Sequence, residues 1–236
     1  MFSHFLITRF NLRKEDWKTN KNRVEVLTDE WHRNRFKLFT NFCVPSVASQ
    51  TNTNFTWLVF FDKSTTPEFK VLISEIESQL PNFKPLFIDG MSAFLPEIKK
   101  QVQNCKSDYI ITSRLDNDDC ISKHYINSIQ AKFKHQDFMA LDYINGYTMQ
   151  TSTDMRIGKR LHQFNPFLSL IEKNNSPKTI WSMNHADWKR EASILQIKDE
   201  PMWCSVIHSE NKVNEFVGYG LVNINQFLKN LSCPEQ

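Results

Sequence analysis

Three carboxylates directly follow an apolar run near the middle of the chain: Asp116, Asp118 and Asp119 come after YIITSRL. Tyrosine and isoleucine favour a buried strand, whereas aspartate and asparagine are poor strand formers, so the strand is predicted to end near Leu115. Alternate side chains of an extended chain share a face, which predicts that Asp116 and Asp118 point the same way. Two like charges about 4 Å apart repel by roughly 4 kcal/mol at an effective dielectric of 20, so the pair predicts a cation between them.

A hard divalent ion is the simplest cation for this position. Mg²⁺ and Mn²⁺ prefer oxygen ligands, and an Asp-x-Asp pair leaves coordination positions open for substrate phosphates. Arg114, two residues before Asp116, is predicted to keep the acids ionised and to reach a phosphate oxygen. Helix capping is the alternative role of the aspartates, because the run Ile121–Phe133 is periodically apolar, but it accounts for one or two acids and not for three. The segment therefore predicts a Mn²⁺ or Mg²⁺ site at Asp116 and Asp118.

Composition indicates an ordinary globular protein with one large domain. The chain has 236 residues, of which 40% are hydrophobic and 23% are charged, and this is enough for one sizeable core. The net charge of +3 comes from acidic and basic residues mixed along the chain, which predicts neither a nucleic-acid groove nor a membrane patch. The glycines form no phosphate-binding loop of the G-x-G-x-x-G or G-x-x-x-x-G-K-[ST] type. Side chains and a metal ion would therefore have to hold the phosphates of any nucleotide.

The cysteines and the N-terminal residues predict a cytoplasmic location. An odd number of cysteines without a C-x-x-C pair argues against a disulfide framework and against a zinc ribbon. The first residues, MFSHFLITRFNLRK, have too short an apolar core for a signal peptide, and no run approaches the length of a transmembrane span. The five cysteines are Cys43, Cys105, Cys120, Cys204 and Cys233.

Strand-like and helix-like runs alternate through the first half of the chain, which predicts βαβ units and a parallel sheet. In open α/β sheets ligands bind outside the carboxyl ends of the strands, and Arg9, Asp62, Asp89 and the three carboxylates fall at such ends. A hairpin turn is the competing interpretation of Asp89, because a glycine follows it. The predicted strands are Phe5–Phe10, Phe55–Phe61, Pro85–Ile88 and Tyr109–Leu115, and the predicted helices are Leu27–Gln50 with a break at Pro45, Pro67–Leu80, Leu95–Cys105 and Ile121–Phe133.

The second half is richer in tryptophan and histidine and has a different pattern. Strand-like alternation is predicted at Phe138–Gln150 and Arg156–His162, and Leu221–Leu231 is predicted to be an amphipathic helix. No segment between the halves resembles a linker, so residues 1–236 are predicted to form a single domain.

The segments FTWLVFFD and TSRLDNDD, with a helix before them and a late histidine after them, resemble GT-A glycosyltransferases. More narrowly, their order resembles a bacterial family of rhamnosyltransferase-like proteins, from about Arg9 to His208. The resemblance implies an α/β single domain of the GT-A (Rossmann-like) type, with a central mostly parallel mixed sheet flanked by helices. Residues 1–122 would bind the nucleotide sugar and residues 123–236 would face the acceptor. The helical positions that also carry the resemblance are Trp31, Arg35, Leu38, Phe39, Cys43, Pro45, Ser46 and Gln50.

The resemblance implies a metal-dependent glycosyltransferase, with rhamnose as a candidate sugar. The donor would be a nucleoside-diphosphate sugar and the acceptor a glycan or another hydroxyl compound. Negative charge grows on the departing diphosphate as the sugar gains oxocarbenium character, so a carboxylate-held Mn²⁺ or Mg²⁺ would offset that charge. In an inverting enzyme a carboxylate also takes the proton of the acceptor hydroxyl. Asp187 is the first candidate for this base and Glu210 the second.

The remaining roles that the resemblance implies belong to metal and substrate binding. The metal ligands would be Asp116, Asp118 and the distant His208, for which a hydrogen-bonded core imidazole is the alternative interpretation. Asp62 would accept hydrogen bonds from the nucleotide base or ribose. One tryptophan of the second half would stack on a sugar, although large aromatic side chains mostly fill cores. The residues expected to contact substrate are Arg9, Asp62, Arg114, Asp119, His185, Trp188 and Lys212, with Asn214 as an alternative to Lys212.

Other classes of protein also place paired aspartates after a strand. A haloacid-dehalogenase-like phosphatase is disfavoured because Thr112, Ser113 and Arg114 precede the first acid in place of an apolar run. A calcium loop of the EF-hand type needs glycine and glutamate at its sixth and twelfth positions, where this chain has Ile121 and Asn127. A catalytically inactive sugar-nucleotide-binding protein stays an alternative to the enzyme.

Overall fold

The strands and helices follow each other along the first half of the chain in the predicted alternation. The computed structural model describes residues 1–20, 22–151, 155–211, 214–220 and 222–231. Its strands are β1 (Phe2–Arg9), β2 (Thr56–Asp62), β3 (Phe83–Ile88), β4 (Tyr109–Arg114), β5 (Cys120–Ile121), β6 (Phe138–Tyr143), β7 (Asn145–Gln150), β8 (Arg156–Leu161), β9 (Ser169–Lys173), β10 (Ile194–Ile197) and β11 (Trp203–Ile207). Its α-helices are α1 (Asp29–Leu38), α2 (Val44–Ala48), α3 (Pro67–Gln79), α4 (Phe94–Gln103), α5 (Tyr125–Gln130) and α6 (Ile224–Leu231).

Seven strands form a central sheet in the order β10-β6-β9-β4-β1-β2-β3. Strands β1 to β4 are mutually parallel, and β9 runs antiparallel to both of its neighbours, β4 and β6. A smaller sheet has the order β5-β11-β7-β8. The predicted α/β fold with a mostly parallel mixed sheet is confirmed. Within the described ranges, no helix combines the length and the apolar character that crossing a membrane requires.

The register of the middle strands brings their carboxyl ends to one edge of the sheet. Strand β2, with the sequence TWLVFFD, is buried from its second residue to its last, and a continuous apolar run is what a strand covered on both faces requires. Arg9 lies beside Phe60 of β2, and Ile7 lies beside Arg114 of β4. Arg9 and Arg114 therefore end neighbouring strands at the edge where an open α/β sheet binds ligands.

Helix α1 begins at Asp29, two residues after the predicted start at Leu27, because the hydroxyl of Thr28 accepts a hydrogen bond from the N–H of Trp31 at 3.2 Å and caps the helix. A π-helical turn, Phe39–Cys43, joins α1 directly to α2. Pro45 lies in the first turn of α2, where a missing N–H costs nothing. At the break predicted for Pro45 the chain stays helical and changes from a π-helical turn to the α-helix α2. Helix α1 turns the side chain of Arg35 toward the interior.

Two predicted elements are wrong. The helix predicted at Ile121–Phe133 begins only at Tyr125, because Cys120 and Ile121 form strand β5 against β11. The strand predicted at Phe138–Gln150 is two strands that lie in different sheets, β6 and β7. Both segments are decided by pairing with residues 28 or more positions away in sequence, which no local pattern records.

The Asp89-Gly90 pair is a turn but not the predicted hairpin. Strand β3 is the last strand of its sheet, and the chain leaves it through a short 3₁₀ turn, Met91–Ala93, into α4. Gly90 has φ 70°, a conformation that glycine adopts without the strain of a side chain.

The two remaining predictions for the second half are confirmed in their described parts. The strand predicted at Arg156–His162 is β8, and the predicted closing helix is α6. Leu221, the first residue predicted for that helix, lies outside the described residues. The ring of Phe227 in α6 packs edge-on to Tyr147 of β7, with 5.3 Å between the ring centroids.

His4 makes the stability of the fold depend on pH. His4 is 3% exposed in β1, and burial lowers its pKa to about 3. The imidazole of an unfolded chain has a pKa near 6.5, so the unfolded chain binds more protons between these two values. We expect the free energy of unfolding to fall by about 2 kcal/mol from pH 7 to pH 5. Urea unfolding at several pH values measures this dependence. Between pH 5 and pH 7 the free energy of unfolding should change less with pH in His4→Gln than in the wild type, whereas the exposed control His135→Asn should behave like the wild type. A wild-type pH dependence in His4→Gln would show that His4 is not its source.

Candidate functional site

A cleft of about 830 Å³ opens at the carboxyl ends of β1 and β4. Its wall is completed by α1, by the turn after β4 and by the segment between β9 and β10. Seven of the residues predicted for the site line it: Arg9, Arg114, Asp116, Asp118, His185, Asp187 and Glu210.

Asp118 is held in an ion pair inside the protein. Its Oδ2 atom lies 2.6 Å from Nη1 of Arg35 and 2.9 Å from Nε2 of His208. The side chains of Arg35 and Asp118 are 8% and 13% exposed. Burial alone would raise the pKa of Asp118, but the charge of Arg35 and the hydrogen bond from His208 outweigh burial, so the pKa lies well below its ordinary value. Asp118 is thus a carboxylate at neutral pH, with Arg35 as its counter-ion.

Asp116 and Asp118 both line the cleft, but a turn and not the extended chain of the prediction places them there. The N–H of Asp119 donates to the carbonyl of Asp116 at 3.3 Å, which closes a turn at this point. Asp119 does not line the cleft. Its Oδ1 accepts from the N–H of Val206 at 2.9 Å, and burial raises its pKa well above the ordinary value, as do the charges of Asp118 and Asp116. The substrate contact predicted for Asp119 is therefore replaced by a bond that joins the turn to β11.

Two arginines pack about the ring of Trp181 beside Asp116. The guanidinium carbon of Arg114 lies 3.9 Å from the ring centroid and that of Arg9 lies 5.4 Å from it. Nε of Arg9 is 3.9 Å from Oδ1 of Asp116. Arg114 is 5% exposed and its Nε has no hydrogen-bond partner among the described residues. Burial lowers the pKa of Arg114 to about 10, so it still carries its charge at neutral pH and has unused capacity to bind an anion.

The predicted metal ligands have the carboxylate oxygen and imidazole nitrogen atoms that bind Mn²⁺, but Asp118 and His208 are hydrogen-bonded to each other. Nδ1 of His208 accepts from the N–H of Glu210 at 3.2 Å, so in a neutral ring Nε2 carries the proton that bonds to Asp118. To bind a metal ion through Nε2, the neutral ring of His208 would have to carry its proton on Nδ1 instead. Asp116 faces the same cleft. Within the part of the chain that the structure describes, no three histidine, cysteine, aspartate or glutamate side chains are already arranged to hold a metal ion. The metal site stays a prediction.

Asp62 does not reach the cleft, contrary to its predicted contact with a base or ribose. It is 1% exposed, and its Oδ1 accepts from Nε of Arg13 and from the N–H and hydroxyl of Ser64 at 2.6 to 2.9 Å. Its Oδ2 accepts from the backbone N–H groups of Arg13 and Gly90 at 3.2 and 3.1 Å. These bonds tie together the loops that follow β1, β2 and β3. Asp89, at the end of β3, pairs with the same Arg13.

Trp181, and not Trp188, is the tryptophan of the second half that lines the cleft. Trp188 is fully buried and stacks on Phe138, with 6.2 Å between the ring centroids. Trp203 is also fully buried. The prediction for Trp188 is therefore wrong. The sequence shows three tryptophans in one region, but which of them stays at the surface depends on packing against distant strands.

The two candidate bases lie in the cleft with different partners. Asp187 has Oδ1 3.7 Å from Nη2 of Arg190 and Oδ2 3.5 Å from Nδ2 of Asn184. Glu210 accepts from Nδ2 of Asn34 at 2.9 Å through Oε1, and its buried Oε2 has no hydrogen-bond partner in the described residues. Asn214 also lines the cleft. Lys212 lies outside the described residues.

Similarity to a protein family covers most of the chain. Residues 2–219 match the model of the family described as "Putative rhamnosyl transferase". No curated protein matches the chain. The matched range includes every residue of the cleft.

Several solved structures are similar to this chain at low sequence identity. TarS of S. aureus (residues 1–349) has a TM-score of 0.49 and 14% identity, over 86% of this chain and 60% of that chain. The complex of the same TarS fragment with UDP has the same score and identity, over 87% of this chain. A "putative nucleotide-diphospho-sugar transferase" of Desulfovibrio desulfuricans G20 has a TM-score of 0.43 and 9% identity, over 89% of this chain and 82% of that chain. The chain thus spans about 60% of the length of the TarS fragment it matches.

The buried ion pair yields a stability prediction. Arg35→Met leaves the charge of Asp118 unpaired in the interior, so the free energy of unfolding at pH 7 should fall by about 3 kcal/mol. The double variant Arg35→Met/Asp118→Asn should recover at least half of the loss, because no charge is stranded. Arg33→Met, at an exposed position of the same helix, is the control and should change stability by no more than about 0.5 kcal/mol. Urea unfolding of these four proteins and of the single variant Asp118→Asn is the measurement, and a loss in the double variant equal to the sum of the two single losses would contradict the pairing.

Proposed function

The chain belongs to the family described as "Putative rhamnosyl transferase", and from that premise we propose that it is a glycosyltransferase. It would move a sugar from a nucleoside-diphosphate sugar to a hydroxyl group of a glycan or of another acceptor. Rhamnose is the first sugar to test, because the description of the family names it.

The observation that carries the proposal is the pair of arginines at the strand ends. Arg9 and Arg114 bring two positive charges to a cleft in which Asp116 is the carboxylate that interacts with both. The carboxylate of Asp118 does not neutralise Arg9 or Arg114, because it is already paired with Arg35. The excess positive charge favours an anion such as the diphosphate of a sugar nucleotide. An open α/β sheet binds ligands at this edge.

The reaction needs stabilisation of the leaving diphosphate. As the bond to the anomeric carbon breaks, negative charge moves onto the phosphate oxygens. Hydrogen-bond donors that are already in place lower the barrier because they need no reorganisation during the step. Arg114 is held in this way by the ring of Trp181 at 3.9 Å and by the carbonyl of Met183 at 3.4 Å. Arg9, half exposed, would contact the same diphosphate from the end of β1.

We also propose that Mn²⁺ or Mg²⁺ serves as cofactor. Asp116 and Asp118 would hold the ion, with His208 as the additional ligand, and the ion would neutralise charge on the diphosphate when bound. Carboxylate oxygen and imidazole nitrogen are donors that Mn²⁺ accepts. In this arrangement Arg35 keeps Asp118 ionised, so the ligand is ready without a change of protonation.

Donor binding tests the function and the metal separately. A nucleoside-diphosphate sugar at 100 times its Kd should stabilise the protein by about 2.7 kcal/mol, which raises Tm by about 5 °C or more in a chain of this size. The measurement is thermal unfolding with dTDP-rhamnose, UDP-hexoses and GDP-sugars, each with and without Mn²⁺. One donor should stabilise the protein only with Mn²⁺, and Asp116→Asn should lose the effect.

Asp108→Asn, at an exposed acid before β4, is the matched control and should respond like the wild type. A Tm shift of equal size without Mn²⁺ would contradict the proposed metal requirement but would still support binding of the donor. No shift with any donor would contradict the function itself.

Arg114 offers a second test, because lysine preserves its charge but not its shape. An ammonium group lacks the planar fork that stacks on Trp181 and binds two oxygens at once. Loss of such a charge-assisted contact is worth about 1.5 to 3 kcal/mol, so Arg114→Lys should weaken the Kd of the donor about 10- to 100-fold. Titration calorimetry measures this, with the exposed Arg33→Lys as control. An unchanged Kd would remove Arg114 from the donor site.

A further inference from the structure

His185 stands in the cleft with one nitrogen fixed and the other without a partner. Its Nδ1 lies 2.6 Å from the carbonyl oxygen of Phe164. A carbonyl only accepts, so Nδ1 carries the proton and the neutral ring keeps its lone pair on Nε2. Within the described residues, Nε2 has no hydrogen-bond partner. His185 lines the same cleft as Asp116 and Arg114.

The carbonyl that orients His185 belongs to a strained residue. Phe164 has φ 54°, in the left-handed region that bulky side chains rarely adopt. The buried carboxylate of Asp142 holds it there, because Oδ2 accepts from the N–H of Phe164 at 2.7 Å and Oδ1 accepts from Nδ2 of Asn165 at 2.9 Å. A strained backbone persists only where its surroundings determine it, and such positions cluster at active sites. Here the strain points a carbonyl at the imidazole of the cleft.

The surroundings keep His185 neutral. Burial is the main cause that lowers its pKa, the bond to Phe164 opposes this, and the charges around the ring act in both directions. Arg114 and Arg9 lower the pKa, whereas Asp116 raises it. The ring of His162 lies edge-on with 6.3 Å between centroids, and Asp187 follows two residues later in the same 3₁₀ turn. A neutral imidazole with an open Nε2 is a proton acceptor at neutral pH.

The carboxylates that compete for this role have partners of their own. Asp187 is engaged by Arg190 and Asn184. Glu210 is engaged by Asn34 through Oε1, and its Oε2, which has no partner among the described residues, is buried. His185 is the cleft side chain whose acceptor atom is both oriented by the backbone and left open.

We propose that His185 is the general base that activates the acceptor hydroxyl; this rests on the proposed glycosyltransferase function. The hydroxyl oxygen forms a bond to the anomeric carbon while the bond from that carbon to the diphosphate oxygen breaks, and the electron pair of that bond leaves with the diphosphate. The hydroxyl proton passes to Nε2 of His185, and solvent later removes it. Phe164 and Asp142 are positioning residues, because they act only through the ring.

The protonation pattern of the ring is the first test, and it needs no substrate. Long-range ¹H–¹⁵N NMR at pH 7.5, with His185→Asn used to assign the signals, distinguishes the two tautomers. A proton on Nδ1 with a bare Nε2 is expected for His185. A proton on Nε2 would overturn the proposal whatever the protein binds.

Turnover is the second test. His185→Asn keeps an amide N–H for the carbonyl of Phe164 and removes the acceptor at Nε2. With the donor that binds from the sugar-nucleotide panel and p-nitrophenyl glycosides as acceptors, kcat should fall at least 100-fold, while the Kd of the donor stays within twofold. The control His135→Asn, at an exposed position outside the cleft, should keep kcat within threefold. If His185→Asn keeps more than a third of the wild-type kcat and still binds the donor, His185 is not the general base, although the protein is still a glycosyltransferase. A wild-type protein that binds no donor would overturn both.

Discussion

The ion pair between Arg35 and Asp118 is the interaction on which the cleft depends. It joins helix α1, near the start of the chain, to the turn after β4. His208, from the end of β11, bonds to the same oxygen atom of Asp118, so one carboxylate connects three distant segments. A buried charge is tolerated only when it is paired, and this requirement fixes the relative positions of α1, β4 and β11. The cleft is the space that these elements leave open.

Charge in the cleft is distributed unevenly because of that pair. Asp118 is neutralised from within by Arg35, so it does not offset Arg9 and Arg114. Those two arginines both pack on the ring of Trp181 and have Asp116 beside them. Two arginines beside a single carboxylate favour an anion as ligand, and a metal ion would add further positive charge to this part of the cleft. Arginine forks and a divalent ion are both established means of binding a diphosphate.

The sequence predicts the alternating elements and the sheet edge well, because hydrophobic period and capping residues act locally. Strand β2 and helix α3 follow from those patterns. The site is predicted only in part. Asp116 and Arg114 lie in the cleft because a strand end aims them there, whereas the positions of Asp62 and Asp119 depend on bonds to loops that adjacent residues do not reveal. The local sequence also does not predict that Arg35 is the counter-ion of Asp118 or that Trp181 lines the cleft beside Arg114. The two residues of each pair are more than 60 positions apart in the chain.

A structure of the protein with bound dTDP-rhamnose and Mn²⁺ tests the central claim most directly. The account predicts the diphosphate within hydrogen-bond distance of Arg114 and Arg9, beside Asp116 and at the carboxyl ends of β1 and β4. A diphosphate bound elsewhere, for example in the neighbouring hollow around Arg13 and Asp89, with the two arginines still packed on Trp181 and free of ligand, would contradict it.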